Sequence, residues 1–120
     1  MKKTFFLVLF ILSQYSYADI YKDKILIYIE NSIENFELND DRRTNLKELN
    51  NEMNRVEADR IDQWLPNARP TDRDGDIYLN RYYVILLNSE RDDIKKLIVD
   101  FGNLECVFSS ESMAKMRPNY

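Results

Sequence analysis

The sequence predicts an α+β domain: an N-terminal antiparallel helix pair packed on a small sheet that contains a βαβ unit. Three observations lead there. Apolar residues recur at helical spacing through the first half of the chain beyond its opening segment. Pro66 and Pro70 then close that half, and the polar, turn-rich stretch from Asn67 to Asp76 follows. The second half opens on a run rich in β-branched and aromatic residues and continues with a helical stripe and another short apolar run.

The chain begins with MKKTFFLVLFILSQYSYA, residues 1–18. Lys2 and Lys3 precede an uncharged apolar run from Thr4 to Leu12, and Ser16-Tyr17-Ala18 places small residues where a signal peptidase reads. This is the pattern of a secretory signal peptide cleaved after Ala18, and the run is too short for a permanent membrane-spanning helix. The expectation is an exported protein, periplasmic or secreted. No cysteine follows the run to carry a lipid, so no stable membrane anchor is expected. Residues 19–120 form one small domain in this reading. Losing Lys2 and Lys3 takes the net charge from −4 to −6. An acidic chain without a basic block is a poor nucleic-acid binder and suits a basic protein partner.

Residue usage narrows the chemistry. The chain has one cysteine, Cys106, no histidine, and two glycines, Gly75 and Gly102. A lone cysteine makes no internal disulfide; it is read as a buried thiol, with an intermolecular disulfide as the rival. Without histidine there is no Ser-His-Asp triad, no Cys-His pair and little basis for zinc. Two isolated glycines make no phosphate cradle. The expectation is a non-enzyme with no cofactor and no metal.

The elements follow in order. Asp19 to Glu37 reads as the first helix, with Ile25, Ile29, Ile33 and Phe36 in period and Leu26 beside them. Ile25, Ile27 and Ile29 also alternate, so KILIYIE competes as a short strand; the continuing period favours helix. Asp40 to Leu65 reads as the second helix, on the stripe Leu46, Leu49, Met53, Val56, Ile61 and Trp64. Trp64 is read as a core or edge anchor. The short polar link Asn39-Asp40-Asp41 makes the pair antiparallel. Ile77 to Asn88 reads as a strand with Ile77, Leu79, Arg81, Tyr83, Ile85 and Leu87 on one face and Tyr78, Asn80, Tyr82, Val84 and Leu86 on the other. Ser89 and Asp92 have the spacing of a capping box for a helix whose stripe is Ile94, Leu97, Ile98 and Phe101, with Gly102 as its stop. LECVFS reads as the second strand, with Leu104, Cys106 and Phe108 on one face. Short links around that helix imply parallel paired strands with a right-handed crossover. The tail from Ser109 to Met116 reads as a short last helix.

One stretch has the look of a ligand motif: TDRDGDIYLN, Thr71 to Asn80. An EF-hand loop needs oxygen ligands at positions 1, 3 and 5, glycine at 6 and glutamate at 12. With Gly75 at position 6, position 1 becomes Pro70 and position 12 becomes Arg81. With Asp72 at position 1, Ile77 falls where the glycine must be. The stretch is therefore read as a tight Asp-Gly turn ahead of a strand.

These residues suggest a small binding or inhibitory protein that acts by protein–protein contact, for instance an immunity-type antidote to an envelope toxin. An oligomeric envelope assembly factor and a small carboxylate-based hydrolase are the alternatives. The candidate contact surface is Asp72, Asp74, Asp76, Tyr78, Arg81 and Tyr82, where carboxylates that steer a basic partner lie beside aromatic rings.

Overall fold

The computed structural model describes residues 20–115; the signal-peptide reading falls on 1–18, outside the described residues. The first element is β1, Ile20–Ile29, a strand where the periodicity favoured a helix. Ile25, Ile27 and Ile29 are wholly buried on one face, and Leu26 and Tyr28 are buried on the other. Five consecutive buried residues fit a central strand covered on both faces, and the stiff β-branched side chains of isoleucine favour that backbone. Ile33 and Phe36, counted above as later turns of a helix, lie in the loop beyond β1 and pack on the core's margin.

That loop, residues 30–46, is held by side chains. Thr44 is buried. Its amide donates to Asn50 Oδ1 at 2.8 Å, its carbonyl accepts from Asn50 Nδ2 at 2.7 Å, and its hydroxyl oxygen accepts from the Leu46 amide at 3.0 Å. Helix α1 follows, Lys47–Arg55, burying Leu49 and Met53. It ends far short of Leu65 because Glu57 turns left-handed, at φ 58°, and sends the chain into β2, Ala58–Gln63. Glycine or asparagine usually marks such a reversal. A glutamate marks nothing, so the predicted helix ran on through it.

The Asp-Gly stretch is a hairpin, β3 (Arg73–Asp74) on β4 (Ile77–Tyr78). Gly75 opens its two-residue turn at φ +62°, which glycine adopts without steric cost. A short 3₁₀ turn, Leu79–Arg81, then leads into β5, Tyr82–Leu87. The long strand expected from Ile77 to Asn88 is thus broken in the middle. Helix α2, Ile94–Gly102, starts after Asp93 with no side-chain cap; Ser89 is exposed and caps nothing. Strand β6, Val107–Ala114, occupies the part of the chain read as the end of a strand and a final helix.

The main sheet has the order β2-β5-β1-β6, and each neighbouring pair is antiparallel. This overturns the N-terminal helix pair and the paired parallel strands. β5 and β6, joined by α2, do run in the same direction, but β1 lies between them and pairs with both. β1 and β2, joined by α1, flank β5 in the same way. The chain therefore traces two split βαβ units, the connectivity called ferredoxin-like, with the β3–β4 hairpin inserted before β5. Both helices serve one face. Leu49 and Met53 of α1 and Ile94, Leu97 and Phe101 of α2 share a single core cluster with Ile25, Ile27, Ile29, Ile61, Ile85, Leu87 and Val107.

Candidate functional site

The other face of the main sheet carries different residues. Leu26, Tyr28 and Val84 are buried yet stand apart from the core cluster. The register places Tyr28 opposite Tyr82 on one side and Ser109 on the other, and Leu26 opposite Val84 and Glu111. Beyond β5, Asp62 faces Val84 and Arg60 faces Leu86, while the Trp64 amide donates to the Tyr82 carbonyl at 3.0 Å. Cross-strand neighbours share a face. So four rings form one row across the sheet, from Trp64 to Tyr82 to Tyr28 to Phe108. Centroids are 5.3, 5.0 and 5.7 Å apart, each contact edge to face. Such contacts add about 0.5–1.5 kcal/mol beyond area burial. The two ends of the row are open: Trp64 is 40% exposed and Phe108 58%.

Phe108 reaches this face through a register irregularity. Tyr28 pairs with Ser109, but the next residue, Ile29, pairs with Val107, so one residue of β6 is skipped. A bulge of this kind re-aims a side chain. Phe108 is the skipped residue, and its ring stands against Tyr28.

Charges border the row. The Asp62 carboxylate is paired with Arg60 at 3.0 Å. Lys24 places its Nζ 4.1 Å from the centre of the Tyr21 ring. Glu111 enters no ion pair among the described residues. Burial of its surroundings pushes its carboxyl above the ordinary carboxylate range. The Tyr82 phenol is raised as well, first by burial and then by the negative charge of Glu111.

The six residues expected from the sequence divide. Tyr82 belongs to the aromatic row. Tyr78 lies beside the row's end: its amide donates to the Tyr28 phenol at 2.8 Å, and that phenol donates to Asn31 Oδ1 at 2.7 Å. Arg81 is turned inward as a clamp. Its guanidinium donates to the Ile29 carbonyl at 3.2 Å, to the Glu30 carbonyl at 2.6 Å, and to the Ile33 carbonyl. Asp72 is engaged within the turn, accepting from the Arg69 amide at 2.8 Å and from the Arg69 guanidinium. Those bonds, the amide's first, hold its carboxyl below the ordinary range. Asp74 and Asp76 are exposed at the hairpin tip, where the Asp76 carbonyl accepts from Asn31 Nδ2 at 3.0 Å. The structure therefore does not gather the six onto one surface.

Tyr28, Trp64, Phe108 and Glu111 are the residues that sequence reasoning left out of the site. The signal for Tyr28 was present in the alternation of Ile25, Ile27 and Ile29, which puts Leu26 and Tyr28 together on the opposite face. Phe108 had no such signal, because a bulge cannot be read from alternation.

Cys106 is buried, and its thiol is pushed up to about 12, chiefly by burial and then by its hydrogen bond to Glu48. Glu48, in the first turn of α1, also accepts from the amides of Glu105 and Cys106 at 3.3 and 3.2 Å. The thiol and these amides hold the Glu48 carboxyl below its ordinary range. Among the described residues no group of three His, Cys, Asp or Glu side chains is arranged to hold a metal ion, and no helix is long and apolar enough to cross a membrane. Compared with protein-family models, with curated proteins and with solved structures, the chain matches none.

Proposed function

We propose that this chain is an exported binding protein that acts by contact with another protein, and that the helix-free sheet face is its contact surface. The observation that carries the reading is the row of four rings across four strands, open at Trp64 and Phe108. Trp and Tyr are the side chains protein interfaces favour, and rigid rings lose little freedom on binding. A row seated on a sheet is also held more firmly than one on loops. The secretory pattern of residues 1–18, the acidic balance and the absence of histidine support an envelope binder over an enzyme. Inhibition of an envelope toxin is one role such a contact would serve.

The test is capture of a partner by the mature protein from an envelope extract, repeated with variants. Trp64→Ala/Phe108→Ser should abolish capture while leaving the denaturant melt near wild type. Asp74→Asn/Asp76→Asn should capture as wild type does. Loss of capture in the hairpin variant alone would instead move the contact surface to the Asp72–Asp76 turn.

A further inference from the structure

Resting on the sheet-face reading, we propose that the partner is held there by one of its own basic side chains: a lysine or arginine seated over Tyr28, between Tyr82 and Phe108, and paired with Glu111. The argument is one of charge complementarity. Each cation on this face already has a partner, Arg60 in Asp62 and Lys24 in the Tyr21 ring. Of the face's two carboxylates, Asp62 is neutralised and Glu111 is not. One negative charge is thus left over, and it lies at the centre of the sheet. Glu111 stands opposite Leu26, one residue along β1 from Tyr28, and its charge is felt at the Tyr82 phenol.

Rings and carboxylate ask for the same ligand. The negative face of an aromatic ring attracts a cation, and so does a carboxylate without a counter-ion. Glu111 is poorly solvated where it stands, as its raised pKa shows, so an arriving cation meets a charge that water stabilises weakly. An acidic partner side chain would meet the same charge with repulsion. A neutral one would leave it as poorly solvated as before.

Tetra-arginine amide serves as the probe, with tetra-glutamine amide as its neutral counterpart. Trp64, the only tryptophan in the chain, reports binding by fluorescence, and backbone amide NMR shifts report its place. Tetra-arginine should saturate shifts at Leu26, Tyr28, Tyr82, Val84 and Glu111, and tetra-glutamine should not. Glu111→Gln should weaken binding about two- to five-fold, the range of an exposed ion pair. Glu105→Gln, the same charge change on an exposed residue off this face, should leave it unchanged. Phe108→Leu, which keeps apolar area but removes the ring, should weaken the arginine peptide too. Equal shifts from both peptides, equal losses in Glu111→Gln and Glu105→Gln, shifts centred elsewhere, or no shifts at all would each overturn the assignment of a basic side chain. None of these bears on whether Trp64→Ala/Phe108→Ser loses the partner, so the sheet-face reading stands or falls separately.

Discussion

The two faces of the main sheet are made from the same strands and differ in almost every other respect. On β1, Ile25, Ile27 and Ile29 point into an aliphatic core closed by two helices, while Leu26 and Tyr28, one residue out of phase, support an aromatic row with no helix over it. On β5 the adjacent tyrosines part in the same way. Tyr83 turns to the helix side, edge to face with Phe36 at 4.7 Å, and Tyr82 joins the row. The difference separates two uses of apolar area. Side chains on one face are consumed in folding; on the other, part of the area is left over for something else.

The comparison can be broken or sharpened by substitution. Ile27→Ala, at a wholly buried core position, should cost about 2–5 kcal/mol, read from urea melts. A loss under 1 kcal/mol would mean that the helix-covered face is not the one that holds the fold. Arg81→Leu should cost about 1.5–3 kcal/mol, because the carbonyls at the end of β1 lose their charged donor. If Arg81 were a contact residue, the same variant would fold normally and lose only binding.

A pH series sharpens the helix side further. Glu48 has a carboxyl held below its ordinary range in the folded protein, so its contribution is complete above that range and disappears as the pH falls through the folded value. Wild type should therefore lose stability to acid more steeply than Glu48→Gln. Parallel acid limbs for the two would show that the bonds to Glu105 and Cys106 do not matter. The smallest expected effect lies on the open face. Phe108→Ser, at a mostly exposed position, should move stability by no more than about 0.5 kcal/mol while removing partner capture. A loss of several kcal/mol would mean the row is a second core.

The legibility of the sequence follows the same division. The stripe Ile94, Leu97 and Phe101 and the core half of α1 could be read, because a buried helix face repeats along the chain. The Asp-Gly turn could be read, because only glycine takes its backbone angle cheaply. β1 was misread because Ile25 and Ile29 satisfy a helical period and an alternating one together. The end of α1 was hidden because Glu57 takes a left-handed turn without a turn residue's signature. The site was half legible: Tyr82 stood out, but its neighbours in the row come from β1, from beyond β2, and from β6. Adjacency across a sheet has no trace in local pattern until the strand order is known. Arg81 and Asp72 were conspicuous in the sequence for reasons that turned out to be internal.

The position of β1 has a consequence for how the chain is made. The first strand described is an inner strand of the sheet, flanked by β5 and β6, so it is synthesised early and paired late. Roughly 80 residues separate Ile27 from its β6 neighbour Ser110, which at ordinary rates of synthesis is a wait of about 4–16 s. Through that interval five consecutive residues destined for burial have neither of their strand partners, and both edges of the segment can accept another chain. A nascent chain in that state is the form of this protein most prone to aggregate, and a holding chaperone that recognises KILIYI would act before any fold exists to protect it.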